Sequence, residues 1–228
     1  MSDVILVHPT PHVLEGPGGP IHVTEISLGG TPRGLVVLLT DDEVPDVDVV
    51  QSMNHFVMEG YESIAARVDL DGVDVVLGRA AERGWHDDQV GVVGLGAGAT
   101  LALDLALRRE LGAAVAFSPT PDLDRLAAEP ALRTPWLGMF GEDAAGLTRG
   151  EVHRLRGTLR GGSDVFSHVV SYPGVGADFH RRTETGVAFA ASYDSWQRAT
   201  EWLNARVAAR LTPLAVAWRN RQHAAPSV

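Results

Sequence analysis

The stretch VGVVGLGAGATLALDLAL, which begins at Val90, constrains the fold of this chain more than any other. A short run of β-branched residues enters a cluster of glycines, and a helical pattern of Leu and Ala leaves it. This order predicts a strand, a tight turn and a helix. Dinucleotide-binding folds use such a unit with G-x-G-x-x-G/A, and serine hydrolases use it with G-x-S-x-G. The segment satisfies the first pattern, and it satisfies the second except at the nucleophile position, where Gly96 stands.

Strand and helix patterns alternate on both sides of this unit. The Gly/Pro-rich turn 15–20 separates two candidate antiparallel strands at 4–7 and 21–28. Further strands are predicted at 35–39, 61–68, 90–93, 113–117, 136–140 and 165–172. Helices are predicted at 49–58, 73–83, 100–111, 151–159 and 192–211. Repeated strand–helix units predict an α/β fold with a mainly parallel sheet that is covered by helices on both faces.

The composition narrows the class of protein. The formal net charge is −10, and all 19 basic residues are arginine. We expect no nucleic-acid partner, because phosphate binding needs clustered positive charge. The absence of lysine excludes Schiff-base chemistry and a P-loop lysine. The absence of cysteine excludes disulfides, thiolate metal sites and a cysteine nucleophile. Nothing in the pattern indicates a metal or an organic cofactor.

Hydropathy and the character of the first residues predict where in the cell the protein is found. No apolar run approaches the ~18 residues of a membrane span, so no membrane partner is expected. The first residues lack the basic start and long apolar stretch of a secretory signal, and we therefore expect a cytoplasmic protein. Residues 1–228 suffice for a single α/β domain. The segment after about residue 214 is expected to be loosely held.

The dinucleotide interpretation lacks its acidic partner. A Rossmann fingerprint follows the first strand of its fold, whereas about four predicted strands precede this one. The motif also needs an Asp or Glu about 20 residues on, at the end of the next strand, to hold the ribose. Here that strand is followed by Ser-Pro-Thr-Pro, and Asp122 and Asp124 lie beyond the prolines. Nucleotide binding is therefore an unfavoured interpretation of the glycine cluster.

Four segments carry a resemblance to a known family. They are VGVVGLGAGATLAL, LRTPWLGMFGED, SYPGVGADF and FAASYDSWQRATEWL, in that order along the chain. They resemble the nucleophile, acid, histidine and C-terminal helix segments of the dienelactone hydrolases, and the resemblance covers about residues 20–210. It implies an α/β-hydrolase fold and, in an intact member, a nucleophile–acid–histidine triad that hydrolyses lactones or carboxylic esters.

The triad implied by this resemblance is degenerate. Gly96 stands in the nucleophile position and Ala177 in the histidine position, and neither side chain can attack a carbonyl or accept a proton. Asp143 fills the acid position, and Asp41 falls where the family has an acidic residue near its nucleophile. His180 lies three residues beyond Ala177, within the polar sequence DFHRR, and is expected to face water.

Other candidate residues have simpler explanations. The prolines around Ser118 indicate a stiffened turn. The sequence His86-Asp87-Asp88 is typical of a solvated turn rather than a metal site. Two tryptophans, six residues apart on the last predicted helix, are expected to anchor that helix: Trp196 and Trp202. Two arginines that could face an anionic ligand are expected to be solvated: Arg181 and Arg182.

Three functions remain open from the sequence. The first is a hydrolase-like protein without hydrolase chemistry, which serves as a small-molecule-binding module, with its ligand in the cleft above Gly96, or as a protein-interaction module. The alternative is a hydrolase of lactones or carboxylic esters that works through the non-standard groups Asp41, Asp143 or His180. Dinucleotide binding is the third.

Overall fold

A computed structural model describes residues 6–41, 47–181 and 186–224. Its eight strands form one sheet in the order β1-β2-β4-β3-β5-β6-β7-β8. The strands are β1 Thr10–Gly16, β2 Gly19–Ile26, β3 Gly34–Leu39, β4 Tyr61–Ala66, β5 Val90–Gly94, β6 Ala113–Phe117, β7 Trp136–Gly141 and β8 Ser167–Tyr172. The helices are α1 Val47–Met58, α2 Leu70–Glu82, α3 Ala97–Arg108, α4 Leu123–Ala128, α5 Arg149–Gly162, α6 Gly186–Arg206 and α7 Pro213–Ala224.

The sheet is mainly parallel, as predicted. Strands β1 and β2 pair antiparallel, β2 pairs antiparallel with β4, and the remaining strands pair in parallel. Helices α2 to α5 pack on one face of the sheet, whereas α1 and α6 pack on the other. Because both faces are covered, every residue of β3 to β7 is buried, which explains why these strands are mostly apolar.

The predicted first strand is wrong in its described part. Residues 6 and 7 are not in a strand, and residues 4 and 5 lie outside the described residues. The Val7 backbone instead exchanges hydrogen bonds with the side-chain amide of Asn54, which donates to its carbonyl and accepts from its N–H. The strand that pairs with β2 is β1, an edge strand whose Val13 is exposed. An edge strand needs few apolar residues, so the alternation of polar and apolar residues in β1 was too weak to predict it.

The C-terminal prediction also needs correction. Helix α6 ends at Arg206 rather than at residue 211, because the next residues are tied to the body of the protein. The Ala208 N–H donates to Asp88 O at 2.8 Å, and the Arg210 N–H donates to Arg33 O at 2.9 Å. Residues 213–224 form helix α7, which starts at a proline, a residue well suited to the first helical position. That this segment is loosely held stays a prediction. Its Trp218 remains 59% exposed.

A buried ionic cluster fixes α2 to the antiparallel side of the sheet. Arg83 donates to Glu25 on β2 at 3.1 Å and to Glu62 on β4 at 2.5 Å. Arg79 donates to Glu25 at 2.9 Å, and the Trp85 indole donates to Glu62 at 3.2 Å. The Glu25 carboxylate is only 4% exposed, so its charge depends on these partners.

Within the part of the chain that the structure describes, no helix combines the length and apolar character that crossing a membrane requires.

Candidate functional site

Gly96 lies at the turn between β5 and α3, at the carboxyl edge of the sheet. Its backbone has φ +56° and ψ −126°, a conformation that residues with a side chain rarely adopt. Its neighbours Gly94 and Gly98 let the chain fold tightly: a Cβ on Gly94 would overlap the Gly98 carbonyl, and a Cβ on Gly98 would overlap the Leu39 carbonyl. The predicted strand–turn–helix is therefore confirmed, and its turn has the sharp, strained backbone of a nucleophile elbow.

The carboxylate of Asp41 fills the space directly above Gly96. A Cβ built on Gly96 would overlap Asp41 Oδ2 and lie 2.5 Å from Cγ and 2.7 Å from Oδ1. The same carboxylate accepts a hydrogen bond from the Ala97 N–H at 2.5 Å through Oδ1. In a serine hydrolase of this fold, the N–H after the nucleophile belongs to the oxyanion hole. Asp41, from the loop after β3, thus fills the space of the nucleophile side chain. It also accepts a hydrogen bond from the N–H that would serve as an oxyanion-hole donor.

His180 lies in the loop between β8 and α6, and its predicted exposure is wrong. The residue is only 9% exposed and lines the cleft above Gly96. Its ring packs against Phe117, with the ring centroids 5.3 Å apart. Its backbone carbonyl accepts hydrogen bonds from the Trp196 indole at 2.8 Å and from the Ser192 hydroxyl at 3.2 Å. These bonds to α6 turn the residue inward, although its neighbours in sequence are polar.

The imidazole of His180 has one nitrogen without a hydrogen-bond partner. Its Nδ1 is buried and unpaired among the described residues, whereas a hydrogen bond of the ring with the Ala177 backbone acts to raise its pKa. Burial lowers the pKa of His180, and the neighbouring Asp178 carboxylate opposes part of that shift. The neutral ring can therefore accept a proton or a hydrogen bond on one of its nitrogens.

The burial of His180 predicts a pH dependence of stability. Because the pKa is lower in the folded state than in the unfolded chain, the unfolded chain binds more protons once the pH falls below about 6.5. The free energy of unfolding should then decrease as the pH falls from neutral to about 5, and the decrease should be smaller in His180→Gln. Urea unfolding across this pH range measures it. His153→Gln serves as the control, because His153 is exposed on α5; an unchanged slope in His180→Gln would contradict the prediction.

The cleft above Gly96 is small, and both polar and apolar residues line it. Its volume is about 50 Å³, whereas pockets for drug-sized ligands measure about 300–1,000 Å³. Three carboxylates and one guanidinium contribute to its lining: Asp41, Asp48, Asp178 and Arg181. The rest of the lining consists of Thr40, Val49, Gln51, Ser52, Leu95, Gly96, His180 and Trp196. Arg181 lies 3.8 Å from the Asp48 carboxylate and 3.9 Å from that of Asp178.

The other two positions implied by the family lie outside this lining. Asp143 is exposed in the loop after β7, and Ala177 is exposed in the loop after β8. The two loops adjoin, because the Asp143 N–H donates to Val175 O at 3.0 Å. The Ala177 carbonyl accepts a hydrogen bond from the Ser118 hydroxyl at 3.0 Å. Ser118 has φ +54°, and its hydroxyl ties two loops together rather than lining the cleft.

The remaining candidates lie where simpler roles were predicted. His86, Asp87 and Asp88 are exposed, and the last two belong to a single 3-10 turn, Asp87–Gln89. The described residues contain no group of three or more potential ligands that could hold a metal ion. Trp196 packs against Phe117, with ring centroids 4.9 Å apart, and Trp202 is covered by Arg206. Both tryptophans anchor α6, although Trp196 also lines the cleft. Arg182 lies outside the described residues.

Sequence reasoning missed two acidic groups of the cleft. Asp48 lies on the first turn of α1, and Asp178 lies between the histidine position and His180. Both look like ordinary solvated residues in the sequence. Only the pairing of each with Arg181 places them at one site.

Comparisons with known proteins agree with this geometry. The model of the dienelactone hydrolase family matches residues 49–207. A Klebsiella pneumoniae protein provisionally assigned as a dienelactone hydrolase superposes with a TM-score of 0.71 at 19% identity, over 86% of this chain and 98% of that chain. Thermogutta terrifontis esterase 2, phosphoramylated by tabun, gives 0.70 at 14% identity, over 88% and 95% of the two chains.

A Mycobacterium tuberculosis puromycin-hydrolysing peptidase gives a TM-score of 0.70 at 12% identity, over 88% of this chain and 40% of that chain. At these identities the structural likeness shows the fold alone, which is that of the α/β-hydrolases. No curated protein sequence matches the chain.

Proposed function

The chain belongs to the dienelactone hydrolase family, and from this premise we propose that it binds a small molecule above Gly96 without covalent hydrolysis. One observation carries the proposal: the Asp41 carboxylate fills the space of the nucleophile side chain and takes the Ala97 N–H. An acyl-transfer site needs a nucleophile at that position and a free donor for the developing oxyanion. A fixed carboxylate supplies no such donor, and its charge repels an oxyanion.

The histidine position supports the same proposal. Ala177 offers no proton acceptor, and its carbonyl is used by Ser118. Asp143 is exposed and outside the cleft lining, so a base at residue 177 would have to be oriented from the protein surface. Triad residues act as a unit, and the loss of one removes most of the rate enhancement of the others.

A second candidate function rests on a different observation. Asp41 and His180 line the same cleft, and burial keeps the His180 imidazole neutral near pH 7. A neutral imidazole beside a carboxylate is a suitable general base for a water molecule. The chain would then hydrolyse lactones or carboxylic esters by direct attack of water, with no covalent intermediate.

One experiment separates the two candidates. The purified protein is incubated with a fluorophosphonate probe, and its turnover of an activated aryl ester and of a dienelactone is measured. We expect no covalent adduct and no turnover above that of Asp41→Asn and His180→Gln. The control variant is Asp124→Asn, because that carboxylate is exposed and remote from the cleft.

The outcomes are distinct. A stoichiometric adduct on any hydroxyl would overturn the loss of covalent chemistry. Turnover that persists in Asp124→Asn but disappears in both Asp41→Asn and His180→Gln would favour water activation by these two groups. Absence of both signals supports the binding function.

A further inference from the structure

We propose that the ligand of the cleft above Gly96 is a small organic cation, such as a primary ammonium group on a short carbon chain. This inference rests on the binding function proposed above and names its ligand class. The juxtaposition that carries it is an unneutralised carboxylate, Asp41, in the same cleft as His180, a buried residue whose Nδ1 has no hydrogen-bond partner among the described residues.

The charges of the lining favour a cation. Asp41, Asp48 and Asp178 contribute three carboxylates, and the single guanidinium of Arg181 lies near the last two. Asp41 is paired only with a neutral backbone N–H among the interactions of the described residues. Among the described residues, the Asp41 carboxylate therefore carries its negative charge without a counter-ion of its own. An ammonium ion would supply the missing positive charge, whereas a carboxylate or phosphate ligand would be repelled by the carboxylates.

The buried imidazole is a second polar group that a ligand of the cleft would satisfy. Buried polar atoms in folded proteins almost always have a hydrogen-bond partner, and those without one call for a bound water or ligand. His180 is about nine-tenths buried, lines the cleft, and has an unpartnered Nδ1. The neutral ring accepts a hydrogen bond from an N–H donor. An ammonium group has three donors and can therefore serve the imidazole and Asp41 together.

The size of the cleft limits the ligand. A water molecule needs about 10–15 Å³ of such volume, so 50 Å³ accommodates only a few non-hydrogen atoms. Leu95, Val49 and the indole of Trp196 contribute apolar surface for a short carbon chain. Ligands of this size bind weakly, and we expect dissociation constants on the order of millimolar.

Methylammonium, acetamide and acetate are three probes of similar size and different charge. Each is titrated into the full-length protein at constant ionic strength, and the NMR signals of the Trp196 indole N–H and the Ala97 amide are followed. We expect saturable shifts with methylammonium and none with acetate. Asp41→Asn keeps an acceptor for Ala97 but loses the charge, and should weaken methylammonium binding about tenfold.

A variant with the opposite expected effect shows whether a loss of binding results from the lost charge or from a disturbed cleft. Arg181→Gln removes the only cation of the described lining and should strengthen methylammonium binding several-fold, whereas a disturbed cleft would weaken it. Asp124→Asn should leave binding unchanged.

The results either support or overturn the ligand class. Equal binding of acetamide and methylammonium, or saturable binding of acetate, would overturn the cation while leaving the binding function intact. Absence of saturation with all three probes would also overturn it. Hydrolysis lost in the Asp41 and His180 variants would instead overturn the proposed function itself.

Discussion

Alanine at position 96 is expected to lower the free energy of unfolding by about 2.5–6 kcal/mol. The positive φ of Gly96 costs a residue with a side chain about 1–3 kcal/mol. The new Cβ also overlaps the Asp41 carboxylate, which must move and give up its bond with the Ala97 N–H. A hydrogen bond to a charged group contributes about 1.5–3 kcal/mol. Urea denaturation of the two proteins measures the sum.

A double-mutant cycle separates the two causes. In an Asp41→Ala background the carboxylate is absent, so Gly96→Ala should cost only the backbone strain. Gly30→Ala is the matched control, because Gly30 has φ +78° and open space around its Cβ position. The coupling between positions 41 and 96 should be about 1–3 kcal/mol. Equal costs of Gly96→Ala in both backgrounds would show that Asp41 does not occupy the space above Gly96.

Replacement of Arg83 by methionine is expected to destabilise the protein by about 3–5 kcal/mol. Arg83 is only 12% exposed and contacts both Glu25 and Glu62. Methionine keeps much of the apolar stem but leaves Glu62 with neutral donors alone, and removal of one partner from a buried ion pair has a cost of this size. Chemical denaturation of the variant provides the measurement.

The same substitution at an exposed pair is the control. Arg154 lies 3.3 Å from Asp124, and both side chains are more than half exposed. Arg154→Met should change stability by less than about 1 kcal/mol, since surface ion pairs contribute little. Adding Glu62→Gln to Arg83→Met should recover part of the loss, because the unpaired charge is removed. Equal effects of Arg83→Met and Arg154→Met would mean that the cluster is hydrated.

The local patterns of the sequence predicted the central architecture well. The apolar runs predicted strands β3 to β8, and the glycine cluster predicted the turn at Gly96. For β3 to β7 these predictions succeed because a strand buried on both faces is mostly apolar, whatever its neighbours are. The patterns were less informative at the edges. Strand β1 has an exposed Val13, and α4 is only six residues long.

His180 shows why the candidate site was harder to predict. Its neighbours Asp178 and Arg181 are exposed, so the local pattern indicates a solvated loop. The partners that bury its ring and hold its carbonyl are Phe117 and Trp196, which belong to β6 and α6. Contacts between distant segments have no local periodicity, and a single sequence cannot show them.

The sequence by itself determined the order of strands β3 to β8, the sharp turn at Gly96, and the absence of a hydroxyl or thiol at that turn and of an imidazole at Ala177. These follow from hydrophobic periodicity, glycine geometry and the identity of single residues. Only the tertiary structure decided which group fills the space that Gly96 leaves open. Asp41 and His180 reach that space from loops after β3 and β8, and their positions depend on how the whole sheet brings those loops together.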